Sequence, residues 1–187
     1  MIRINTVLNK DNINKVRFKV NGSPSDLSTI SRIDLWIPEL NLTISDSVAD
    51  AYPFKWLLDP VDVGLLEIQL GMVAEFINKY IITTTGDITT GSNIITNIPT
   101  SVLNLLDKRM LVYGTGLGNS AEILLIKKSS GEVTLNVPSE STATGVSLTI
   151  FKSIENNIHV GKLYIFNPQY PNGFHWADLE INVDIGI

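Results

Sequence analysis

The sequence predicts an all-β chain: an antiparallel sandwich with a second, small β domain inserted between two of its strands. Three observations predict it. Apolar and polar residues alternate with period two over short runs, as half-buried strands require. Those runs are closed by Gly, Pro, Asn and Asp, the residues of tight turns. The stretch from about Ile82 to Lys152 differs in composition from its flanks, being rich in Thr, Ser, Gly and Asn and lacking Trp. Strands at this spacing point to a sandwich or barrel rather than to βαβ units.

Each element follows in chain order. Val16-Arg17-Phe18-Lys19-Val20 alternates and breaks at Asn21-Gly22-Ser23-Pro24. Along Ile30–Ile37, Ile30, Arg32, Asp34 and Trp36 share one face, and Ile33, Leu35 and Ile37 the other. Leu40, Leu42 and Ile44 follow Pro38. Phe54 and Trp56 come next, then a turn at Asp59-Pro60, then Leu65–Leu70 closed by Gly71. Met72–Tyr80 fits two patterns, since Val73, Phe76 and Ile77 form a helical stripe but a strand into the middle segment fits as well. At the far end, Lys162–Phe166 and Leu179–Ile185 read as the strands of a hairpin. Asn167–Gly173 is a turn-rich loop between them.

The middle segment supplies its own strands: Asn93–Ile98, Met110–Tyr113, Glu122–Lys127, Glu132–Val137 and Val146–Phe151, with one helical turn at Ser101–Leu106. Its charges cancel, with Lys108, Arg109, Lys127, Lys128 and Lys152 against Asp87, Asp107, Glu122, Glu132 and Glu140. It therefore reads as a separate module of residues 82–152, leaving 1–81 with 153–187 as a discontinuous outer domain.

Composition narrows the function classes. The 187 residues hold 44% apolar side chains, enough for a core and against disorder. With no cysteine there is no disulfide framework and no thiolate metal site. Met1–Asn5 lacks the pattern of a signal peptide, and no apolar run approaches the roughly 18 residues of a membrane span. Synthesis in a reducing cytoplasm and no membrane partner are the expectations. The net charge is -5, yet residues 1–20 hold Arg3, Lys10, Lys15, Arg17 and Lys19 against Asp11. That segment reads either as a solvated strand face or as a basic arm for an acidic partner. An acidic total without a basic-aromatic patch excludes nucleic acid as the expected partner.

Two resemblances add to this reading. The middle segment resembles a small β module that recurs in phage tail and other virion proteins. Four blocks carry it: Thr90–Ile95, Leu106 with Met110–Leu117, Gly131–Asn136, and Ala143–Ile150. It departs at Lys108-Arg109, a pair standing where the module often has a glycine before the Met. The flanks resemble an immunoglobulin-like domain of virion proteins, through Gly64–Gly71, Gly161–Pro168, and Gly173–Trp176 on to Leu179–Val183. The second resemblance implies that the outer domain is an immunoglobulin-like sandwich, with the module inserted between the strand ending near Gly71 and the one starting near Gly161.

Candidate chemistry is sparse. Gly114-Thr115-Gly116-Leu117-Gly118 lacks the G-x-G-x-x-G spacing, a following helix and a G-K-[ST], so a glycine-rich turn explains it better than a phosphate loop. His159 and His175 are the two imidazoles. His175 with Asp178 could form a base and its orienting carboxylate, but no G-x-S-x-G elbow accompanies them, and an aromatic hairpin packing on the sandwich rim accounts for the cluster. Asp59, Asp62 and Glu67 could gather a hard cation, but turn chemistry explains the two aspartates and no D-x-[DN]-x-[DN]-G loop is present. Trp36, Trp56 and Trp176 would make a sugar-stacking platform if exposed and a sandwich core if buried, the core being the usual place of a strand tryptophan.

No catalytic, cofactor-binding or metal-binding residue is therefore assigned, and a non-enzymatic protein is expected. The resemblances imply a structural component of a phage virion: a head decoration, head–tail joining or tail-attached protein. Its partners would be capsid, connector or tail subunits and other copies of itself, engaged through edge strands and the N-terminal segment. The inserted module would project as a knob or spacer. A carbohydrate-binding module contacting a host surface glycan is the alternative.

Overall fold

The computed structural model describes residues 1–56, 63–152 and 158–185. Asp59, Pro60, Asp62 and the 152/153 boundary of the middle segment touch residues outside this set. The chain divides into two compact units, Met1–Lys79 with Asn156–Ile187, and Tyr80–Glu155. Among the described residues sixteen strands account for nearly all of the regular structure, and no described helix is long and apolar enough to cross a membrane.

The first unit begins with β1 (Ile2–Val7), β2 (Asn14–Arg17) and a short ribbon of β3 (Lys19–Val20) and β4 (Ser23–Pro24). It continues with β5 (Arg32–Ile37), β6 (Leu42–Asp46), β7 (Phe54–Lys55) and β8 (Leu65–Ile68). After the second unit, made of β9 (Ile81–Ile88), β10 (Ile94–Ile95), β11 (Leu111–Gly114), β12 (Ala121–Lys127), β13 (Glu132–Leu135) and β14 (Ala143–Phe151), it ends with β15 (Ile158–Asn167) and β16 (Tyr170–Asp184). Among the described residues there are also two single α-helical turns, α1 (Ala74–Ile77) and α2 (Thr100–Leu103), and one 3-10 turn, Pro38–Leu40.

In the first unit one sheet runs β1-β16-β15-β5-β6 and the other β2-β8-β7. Every pairing is antiparallel except β1 with β16, which is parallel from Ile2↔Leu179 to Val7↔Asp184. Assigning β5, β15 and β16 to the C, F and G positions, with β6 beside C, leaves β2, β8 and β7 as B, E and D. That is the strand order of an immunoglobulin-type sandwich. The inserted unit occupies the connection between the E and F strands. Period-two burial fixes the faces: Ile33, Leu35 and Ile37 of β5, Leu163 of β15, and Leu179 and Ile181 of β16 are fully buried. Val16, Phe54, Leu66 and Ile68 line the second sheet from within.

The second unit is one six-stranded antiparallel sheet, β10-β13-β12-β11-β14-β9. It curls until β9 and β10 meet at a single pair, Asp87 and Thr96, which exchange both backbone hydrogen bonds. Ile88, Ile95, Leu103, Met110, Ile123 and Leu148 are among the side chains in its core. Its two ends are neighbours, since Ile81 pairs with Phe151 and the Lys152 N–H donates to the Tyr80 carbonyl. Adjacent ends are the condition under which a unit can be inserted into a loop of another fold.

Several expectations are corrected. Asn167–Gly173 is not a loop: β15 and β16 turn between Asn167 and Tyr170, and strand backbone resumes at once. Pro171 is tolerated there because β1 does not extend to that side, so its missing N–H costs no ladder bond. The N-terminal residues form no free arm, being β1 itself, with Arg3 ion-paired to Glu180 and Lys15 to Glu67. Of the two patterns open for Met72–Tyr80 the helical one is found, as the single turn α1, and the strand starts only at Ile81. Leu40 ends a 3-10 turn, Pro38–Leu40, rather than opening β6.

Candidate functional site

The glycine-rich run Gly114–Gly118 joins the antiparallel strands β11 and β12 and precedes no helix. Gly116 has φ +83°, and a Cβ there would collide with Ser141, so the turn needs glycine for both reasons. A phosphate cradle at a helix N-terminus is absent from this turn.

The two histidines have different surroundings. His159 is buried on β15, its Nδ1 2.7 Å from Glu39 Oε2, which ties the strand to the 3-10 turn. His175 and Asp178 do meet, Nε2 to Oδ1 at 3.0 Å, with the Tyr164 ring 5.3 Å from the imidazole. Both side chains are about half exposed on an open strand, without walls to exclude water.

Among the described residues no group of three or more His, Asp or Glu could hold a metal ion. Asp59 and Asp62 lie outside those residues. Glu67 is buried and already engaged: Lys15 Nζ lies 3.0 Å from one oxygen, and the Tyr52 hydroxyl donates to the other at 2.9 Å. The hydrogen bond from Lys15 holds the Glu67 carboxyl below its ordinary range, against the opposing effect of burial. Burial, and then the hydrogen bond to Glu67, push the Tyr52 phenol up.

The three tryptophans share neither a platform nor a core. Trp56 is 3% exposed and belongs to the interior. Trp36 is 38% exposed on the outer face of β5, where the Lys162 ammonium sits 5.5 Å from its ring. Trp176 stacks on Phe18 at 3.5 Å between centroids. The expectation of a shared tryptophan core fails for Trp36 because position 36 falls on the polar face of an alternating strand.

Two features that sequence reasoning did not locate remain. The first is the unequal treatment of strand edges. The outer edge of β1 is capped: the Asn14 Oδ1 accepts from the Asn5 N–H, the Asn12 Oδ1 accepts from the Val7 N–H, and both amide groups donate to the Asn5 carbonyl. By contrast, among the described residues the backbone of Leu42–Ser45 in β6 makes no hydrogen bond on the side away from β5. Phe174–Asp178 of β16 is likewise bare on the side that β1 leaves uncovered.

The second is a cleft of about 380 Å³ under the tip of the β15–β16 hairpin. Phe18, Leu27, Ile30, Ile165 and Trp176 form its apolar walls. Tyr170 and Phe174 stand at its mouth, 40% and 44% exposed, with ring centroids 5.1 Å apart. Ser25, Asp26, Thr29, Asn167 and Gln169 add polar groups, and Lys19 the remaining charge. Aromatic density in the run Tyr170–Trp176 was the available signal. Reading Asn167–Gly173 as a loop hides that Tyr170 already belongs to the same strand as Phe174 and Trp176.

Neither a protein-family model, nor a curated protein, nor a solved structure matches this chain.

Proposed function

We propose that the chain is a structural component of a phage virion, a head decoration, head–tail joining or tail-attached protein, and that it acts by protein–protein assembly rather than catalysis. The observation that carries this reading is the contrast between strand edges. An uncapped edge is a template for pairing with another chain, and proteins that stay monomeric blunt such edges. Here Asn12 and Asn14 blunt the β1 edge, while Leu42-Thr43-Ile44-Ser45 carries no Lys, Pro or bulge and, among the described residues, α1 lies alongside it without taking any of its backbone hydrogen bonds. Strand addition at β6 would extend the five-stranded sheet into a neighbour, main-chain bonds giving affinity and side chains selecting the partner. The resemblance of both units to virion modules supports the particle as the place of assembly.

Light scattering on the full chain over a concentration series, with immunogold labelling of phage particles from cells that encode it, tests the reading. Concentration-dependent association that Ser45→Lys abolishes, together with labelled particles, is the expected result. Unlabelled particles and a mass that never exceeds the monomer would remove its basis.

A further inference from the structure

We infer that the cleft beneath the β15–β16 hairpin is a binding site for a neutral saccharide. The inference goes beyond the assembly role and stands on different residues.

The cleft's size falls in the range of about 300–1,000 Å³ typical of small-ligand sites. Its chemistry is of two kinds. Tyr170, Phe174 and Trp176 offer aromatic surface, and exposed rings gain by covering the C–H faces of a pyranose just as they gain by covering other apolar groups. Around them are both donors and acceptors: the hydroxyls of Ser25 and Thr29 and the side-chain amides of Asn167 and Gln169. Sugars are alternating apolar faces and hydroxyl edges, and this lining matches both.

Charge narrows the class. The two ionisable groups of opposite sign, Asp26 and Lys19, cancel, so the lining selects neither an anionic nor a cationic ligand. Asp26 is oriented in advance: Oδ1 accepts from the Ser28 N–H and Oδ2 from the Ser28 hydroxyl, both at 2.8 Å. Each carboxylate oxygen keeps a further lone pair, the usual way of gripping two adjacent sugar hydroxyls.

The mouth is also held still. The Phe166 ring lies between the Arg32 guanidinium, 3.7 Å from its centroid, and Gly173, where a Cβ would come within 2.7 Å of it. The Asn167 Oδ1 accepts from the Tyr170 N–H at 2.8 Å. A fixed tip spends less ordering free energy when a ligand arrives.

The test is titration of the full chain with maltohexaose, cellohexaose, mannohexaose, galactohexaose and chitohexaose, read by tryptophan fluorescence and calorimetry. Saturable binding of at least one probe with a shift in emission is expected. Phe174→Ala and Tyr170→Ala should each weaken that binding about tenfold or more, and Trp36→Ala, outside the cleft, should leave it unchanged. Thermal melts identify any variant that has lost the fold, and the unsubstituted chain gives the primary answer regardless. Silence of all five probes overturns the inference, as does binding that survives both cleft substitutions. If the probes are silent and Phe174→Ala lowers the association mass, the cleft docks protein instead and the saccharide reading is overturned. Loss of sugar binding with association intact supports it. Failure of the assembly reading would show separately, as a monomer at every concentration.

Discussion

Arg109 has φ +69°, in the left-handed region that favours glycine, while its N–H donates to the Ile123 carbonyl at 2.8 Å. The sequence offers no glycine at this position, since Lys108-Arg109 leads directly into Met110. A non-glycine residue there costs about 1–2 kcal/mol, partly offset by the roughly 0.5–1 kcal/mol of extra chain entropy that glycine loses on folding. Arg109→Val should lower stability by about 1–3 kcal/mol in urea denaturation, because a β-branched side chain tolerates this region least. Glu67 gives a pH prediction. Its folded pKa lies below the ordinary 4.5, so its contribution is fully present above that value and is lost as pH falls through the folded one. Melting temperatures between pH 7 and pH 3 should fall less steeply for Glu67→Gln than for the natural chain. At neutral pH that variant should be weaker by about 1–3 kcal/mol, because Lys15 loses a charged partner. Asp87 follows the same sign in the inserted unit, its pKa lowered first by the Gly145 N–H and then by the Asn97 amide. None of these pairings was legible, since each joins residues that only the folded strand order or a turn brings together. What alternation did announce was the face each residue occupies, as at Ile33, Leu35 and Ile37.

Among the elements, the β15–β16 hairpin departs most from its sequence pattern. Asn, Pro and Gly cluster in Asn167–Gly173 and imply a loop, yet the long strand β16 absorbs most of them. Two irregularities in its register make this possible, after Leu163 and after Ile165. Gly173, at φ +86°, lets the Phe166 ring lie against the backbone. Gly173→Ala should displace that ring, lower stability by about 1–2 kcal/mol and loosen the cleft mouth, visible as faster amide exchange at Tyr170–Phe174. The capped edge of β1 yields a second expectation. Replacing Asn12 and Asn14 together with Ala should cost about 1–3 kcal/mol and convert a blunted edge into an adhesive one, raising the association mass. In the inserted unit the expected strands at 110–113, 122–127, 132–137 and 146–151 correspond to β11, β12, β13 and β14. β9 shows no period-two signal in the sequence, because Ile81 and Ile82 are adjacent and both buried and Thr83-Thr84-Thr85 follow without alternation.

At the scale of the whole molecule, the all-β sandwich with an inserted β unit was legible because period and punctuation repeat along the chain. The cleft was not, because its walls come from residues 18–30 and 165–176, which only the strand order brings together. Since Ile81 and Phe151 are paired neighbours, residues 80–155 should fold when expressed alone, with a single cooperative melt by circular dichroism. A featureless spectrum would mean that the unit depends on its host. The parallel pairing of β1 with β16 has a mechanical consequence. Tension that enters before Ile2 and leaves after Asp184 pulls these strands past each other lengthwise. The whole ladder of six paired positions is then strained at once instead of opening one rung at a time. The inserted unit lies beyond that ladder along the covalent path and carries no load while the ladder holds. A tether built this way resists stretch through its two end strands and keeps its insert slack.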